Sequence, residues 1–136
     1  MDTITLGTER IDDADRLIKQ LPQAELEAMA AFWLKSTEND KWYFYLVSPV
    51  AETTALPQAY GRLHTLIRQM PPPFSIDPLE VRLIGPTNPI ARDVLDILRR
   101  IPGPQPCPIR WGGIRLGNVS IDGAYLYPLP TPAPAS

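Results

Sequence analysis

A chain of 136 residues, 44% hydrophobic and 21% charged, fits one globular domain: it is too apolar for a disordered polymer, and half of it buries too little surface to stand alone. The single cysteine, Cys107, excludes an internal disulfide and a multi-cysteine zinc site, and the single histidine, His64, excludes histidine-rich metal centres and two-histidine mechanisms. The formal net charge of -2 hides an asymmetry: acids outnumber bases ten to five over residues 1–52, bases outnumber acids eight to five over 53–136, and all eight of those bases are arginines.

Ile11, Ala14, Leu17, Ile18 and Leu21 recur at helical spacing behind Asp12 and Asp13, with Arg16 and Lys19 later in the segment, so residues 9–21 are expected to form a helix. Pro22 ends or restarts it, and a short second helical piece is expected over Gln23–Met29. Phe32-Trp33-Leu34, a polar Ser36–Asp40 stretch and the aromatic, β-branched run Trp42–Val47 read as a β-hairpin. Trp42, Phe44 and Leu46 fall on one face of the second strand and Tyr43, Tyr45 and Val47 on the other, which predicts a central strand covered on both sides.

Pro57 opens a second helix over 57–70 with the stripe Tyr60, Leu63, Ile67 and Met70, and Pro71-Pro72-Pro73 closes it. Leu79–Ile84 alternates as a half-buried strand and ends at Gly85-Pro86. Asn88-Pro89 is a helix-start signal for a third helix with the stripe Ile90, Val94, Ile97, Leu98 and Ile101, and Arg92, Asp96 and Arg100 stand four apart on its outer side. Pro102–Pro108 is an extended connector. Ile109–Leu116 and Val119–Leu126 flank Gly117-Asn118 as a closing hairpin, with bulges or close approaches expected at Gly112-Gly113 and Gly123.

The expected fold is therefore a single α+β domain over residues 1–127, a mixed five-stranded sheet of two hairpins plus one strand packed with about three helices. Residues 128–136 are expected to be a flexible proline-rich tail, with prolines two apart rather than in the three-residue spacing of an SH3-type ligand. The longest apolar runs are far short of the roughly 20 residues of a membrane span, and the acid-bearing N-terminus does not read as a secretory leader, so no membrane association and a cytoplasmic location are expected.

No complete reactive set stands out. His64 reads as a helix-surface or boundary residue beside Arg68, and Cys107 as an inert cysteine between two prolines. Asp77 and Glu80 lie near a strand start as in some metal-dependent nucleases, but they are close together and are followed by Arg82 rather than lysine. The glycines at 112, 113 and 117 match neither nucleotide-binding loop pattern. Neither a cofactor nor a metal is expected.

Two binding surfaces remain. Arg110, Trp111 and Arg115, with Arg99 and Arg100, would suit a nucleic acid or another phosphate ligand. The first hairpin carries more aromatic surface than a small core needs, and Trp33, Trp42, Tyr43 and Tyr45 would form a partner surface wherever one face stays open. The reading adopted is a non-catalytic module that binds a protein partner or itself. Its alternatives are the nucleic-acid or phosphate binder, and a small hydrolase or nuclease using His64 or the Asp77 and Glu80 pair.

Overall fold

The computed structural model describes residues 8–24, 26, 28–36, 38, 41–72, 74–100, 109–111, 114–117 and 119–127. The first helix, α1 (Thr8–Gln20), is followed by a 3-10 turn over Leu21–Ala24 and by strand β1 (Ala30–Ser36). Strand β2 (Trp42–Val47) leads through a 3-10 turn over Pro49–Glu52 into α2 (Leu56–Gln69). A 3-10 turn over Pro78–Glu80, strand β3 (Val81–Ile84) and helix α3 (Pro89–Arg100) come next, and β4 (Ile109–Trp111), β5 (Ile114–Leu116) and β6 (Val119–Leu126) close the fold.

The sheet runs β3-β2-β1-β6-β4, with β5 also on β6. Trp111 pairs with Ala124 and Ile114 with Ile121, one common register along the same side of β6, so β4 and β5 occupy a single line and the sheet has five. This is the mixed α+β fold expected. β1–β2 and β5–β6 are antiparallel, as hairpins must be, and β2–β3 is parallel across the α2 crossover. Gly117 supplies the positive φ of 60° at the second hairpin.

The central strand is β1, which corrects the expectation for β2. Ala30 to Lys35 are all buried, whereas Trp42, Tyr43 and Tyr45 of β2 are only half-buried. Two alanines and a lysine disguise β1 in the sequence, since none favours a strand, yet Ala30, Ala31 and Lys35 are all buried. On one face Trp33, Phe44, Leu46 and Tyr125 pack beneath Leu17 of α1 and Leu63 of α2. On the other, Phe32, Leu34, Val47 and Leu126 pack beneath Val94 and Leu95 of α3.

Two further boundaries differ from expectation. The helical piece after Pro22 stops at Ala24, and Met29 already donates its amide to the Val47 carbonyl at 2.6 Å. Leu79 belongs not to β3 but to the turn before it, and is 78% exposed. There the Asp77 carboxylate accepts from the Leu79 amide at 2.9 Å while Glu80 accepts from the Asp77 amide at 3.3 Å, a reciprocal cap that holds a helical turn against strand alternation. At α3 the expected start is found: the Asn88 side chain accepts from the Ile90 amide at 2.9 Å. No helix among the described residues is long and apolar enough to cross a membrane. Gly112, Gly113, the connector with Cys107, and the tail lie outside the described residues.

Candidate functional site

The aromatic hairpin divides between the core and the surface. Phe32, Trp33 and Phe44 are fully buried, so Trp33 is a core residue and not part of a partner surface. It lies in the central strand under α1, where its Nε1 donates to the Tyr127 hydroxyl at 3.2 Å, and Tyr127 in turn donates to the Ile11 carbonyl at 2.7 Å. The Arg10 guanidinium sits 5.2 Å from the indole centroid and is held there by its ion pair with Glu80.

Trp42 is half-buried for a different reason. A Cβ built on Gly123 would stand 2.7 Å from Trp42 Cη2, so the ring lies across a position that only glycine leaves open. Gly123 is thus the close approach expected from the sequence. The register between β1 and β6 shifts beside it, from Lys35↔Gly123 to Ser36↔Ile121. Asp122 is the extra residue, and its carboxylate reaches the amine of Lys35 at 3.2 Å. Lys35, 4% exposed at its side chain, is buried on the central strand, and the bulge brings it a counter-charge that is itself 47% exposed.

Tyr43 and Tyr45 alternate onto the sheet face that carries α3. Tyr45 stacks on Phe32 with centroids 5.5 Å apart, and the exposed Arg82 places its guanidinium 4.2 Å from the Tyr43 centroid. Burial raises the pKa of the Tyr45 hydroxyl against the opposing pull of Arg82. Tyr43 and Arg82 lie beyond the cluster packed under α3. The neighbouring edge of the sheet is closed at one point, where the Tyr60 hydroxyl accepts from the outward Leu83 amide at 2.9 Å.

Of the arginine set, Arg99 and Arg100 end α3, Arg110 and Trp111 stand in β4 opposite Tyr125 and Ala124, and Arg115 is exposed in β5 opposite Ser120. The backbone brings Arg110, Trp111 and Arg115 to one edge line of the sheet. The side chains of Arg99, Arg100, Arg110 and Trp111 lie outside the described residues.

The acids proposed for catalysis have structural roles: Asp77 caps its turn, and Glu80 joins that cap and pairs with Arg10. His64 packs one helical turn from Tyr60, ring centroids 5.8 Å apart. Asp13 is buried and joined to polar groups of Arg16, on its own helix, and of Ser75, far along the chain. Burial works against its charge, but the Ser75 amide and hydroxyl, each at 2.7 Å, and Arg16 at 2.9 Å outweigh it and hold its pKa below the usual carboxylate range. Among the described residues, no group of three or more histidine, cysteine, aspartate or glutamate side chains is placed to hold a metal ion.

Sequence reasoning missed a groove between α2 and the end of α1 with its 3-10 turn. One part, about 590 Å³, is lined by Gln23, Gln58, Gly61, Arg62, Thr65 and Gln69. A second part, about 390 Å³, shares Gln23, Leu66 and Gln69 with it and extends to Arg16 and Met70. The one signal in the sequence was Gly61, a glycine inside a helix, which costs about 1 kcal/mol relative to alanine. Its φ is not left-handed, and a Cβ there would meet nothing within 4 Å. Neither the backbone nor any described neighbour requires that glycine. Comparison with models of protein families, with curated proteins and with solved structures gives no match for this chain, so its site is read from its own residues.

Proposed function

We propose that the protein is a non-catalytic interaction module that associates with a second copy of itself through the face formed by Tyr43, Tyr45 and Arg82. The observation that carries this reading is the guanidinium 4.2 Å over the Tyr43 ring on a part of the sheet outside the cluster under α3. Tyrosine and arginine are the residue types that dominate binding at interfaces, because each offers a large flat surface together with a polar end. The patch contains both partners of a cation–π contact, so a two-fold-related copy can meet ring with guanidinium in both directions. The Tyr60 hydroxyl on the Leu83 amide supports association through this face rather than by adding a strand to the edge.

Sedimentation velocity from micromolar to near-millimolar concentration tests the reading. The wild-type protein is expected to gain mass with concentration, and a Tyr43→Ala, Arg82→Ala variant to stay monomeric over the same range with its circular dichroism unchanged. A wild-type protein that stays monomeric throughout, or a variant that associates equally well, would overturn it.

A further inference from the structure

We propose that the groove between α1, its 3-10 extension and α2 is a binding site for an extended acidic peptide. It lies against the opposite sheet face from Tyr43 and Arg82, so this inference does not depend on self-association. Its two parts share Gln23, Leu66 and Gln69 and form one continuous channel along α2 from Gln58 to Met70. At 1.5 Å per helical residue that channel is about 18 Å long, the span of five or six extended residues at roughly 3.3 Å each.

The lining chemistry points to a main chain carrying carboxylates. Gln23, Gln58 and Gln69 are exposed, and each amide both donates and accepts, which is what a peptide's alternating N–H and C=O groups need. Leu66 and Met70 supply apolar floor. Among the described residues, the cations lining the two parts are Arg62, Arg16 and Lys19, and none of the lining residues carries a carboxylate. Arg16 and Lys19 are engaged by Asp13 and Asp15, whereas Arg62 gives its Nε to the Ala24 carbonyl at 3.0 Å and has no carboxylate partner among the described residues. Its planar fork is anchored on one edge, as a receptor for a carboxylate is. Gly61, one residue away, leaves open space at the wall beside it. A glycine that the free protein does not need is accounted for when a peptide backbone fills that space.

The test uses the intact, uniformly 15N-labelled chain and N-acetylated, C-amidated hexaglutamate as the probe, with hexalysine as control. Saturable shifts are expected at Gly61, Thr65, the Gln58 and Gln69 side-chain amides and Arg62 Nε with hexaglutamate, and none with hexalysine. Gly61→Ala is expected to raise the melting temperature by about 2–8 °C while weakening the peptide by about tenfold. Arg62→Gln should reduce affinity for hexaglutamate with the other shifts retained at higher peptide concentration. The proposal is overturned by the absence of saturable shifts along α2, by equal binding of hexalysine, or by a Gly61→Ala protein that is more stable and binds hexaglutamate as the wild type does.

Discussion

Tyr127 shows how one hydroxyl, beyond the last residue of β6, ties three distant parts of the chain together. It donates to the carbonyl of Ile11 in α1 and accepts from the indole of Trp33 in β1, and burial, with Trp33 opposing it, raises its pKa. Replacing it by phenylalanine keeps the ring packing against Phe44 and Tyr125 and leaves the Ile11 carbonyl its helical bond, but takes away the hydroxyl that accepts from the buried Trp33 indole N–H. An orphaned indole N–H costs about 1–3 kcal/mol, so Tyr127→Phe is expected to lower stability by about 1–3 kcal/mol, read from urea unfolding at neutral pH. A loss below the uncertainty of the midpoint would mean that the two bonds contribute nothing net. At this scale the sequence was only partly legible. The run Phe32-Trp33-Leu34 placed Trp33 in a strand, but nothing local to Trp33 says that a tyrosine at position 127 satisfies its N–H, and aromatic excess alone read as exposed surface. Gly123 was legible because a glycine inside a strand needs a neighbour that excludes Cβ, and Trp42 is that neighbour.

Between elements, the decisive polar link is Asp13. Its carboxylate takes both the amide and the hydroxyl of Ser75, and Arg16, bonded to the same carboxylate, also donates to the Pro71 carbonyl at 3.3 Å and lies 5.8 Å from the Phe74 ring centroid. The segment leaving α2 is thus fastened to α1 before it enters β3, and the proline run there, which signals only that the helix must end, gives no hint of the fastening. Because the folded pKa of Asp13 lies below its unfolded value, its contribution is fully present above about pH 4 and is lost as the pH falls through the folded pKa. Asp13→Asn is therefore expected to be less stable than wild type at neutral pH by about 1–3 kcal/mol, with the gap narrowing in acid. Urea midpoints measured from neutral pH to below the carboxylate range check this, and a gap that stays constant across the series would assign the loss to geometry rather than to charge.

For the whole molecule, helix and strand types were readable from periodicity because three-residue-plus and two-residue repeats bury different faces, and the hairpin signals fixed the antiparallel pairs. Strand order was not readable, since it depends on pairing between segments far apart in sequence, β1 with β6 above all; Ala30 and Ala31 look weak as strand formers and prove to open the strand with the deepest burial. The α2 groove was hidden for a related reason. Its walls come from helices separated by the whole first hairpin, and glutamines on an outer face carry no periodic mark.

The central position of β1 has a consequence for cooperativity. Its residues alternate between the two apolar clusters, Ala31 and Trp33 in one and Ala30, Phe32 and Leu34 in the other, so neither cluster can open without exposing the strand that organises its counterpart. Leu17→Ala under α1 removes a fully buried side chain from the first cluster, and Leu34→Ala, in β1 itself, one from the second; each is expected to cost about 2–5 kcal/mol. In both variants, made in a Trp111→Phe background so that fluorescence comes from Trp33 and Trp42, the loss is expected to move one shared transition to lower denaturant, with far-UV circular dichroism and tryptophan fluorescence still coincident, because those two rings report on the first cluster and the backbone signal on both. If Leu34→Ala instead separated the two probes, with fluorescence keeping the wild-type midpoint, the face under α3 would be unfolding independently, and β1 would not couple the two sides of the sheet.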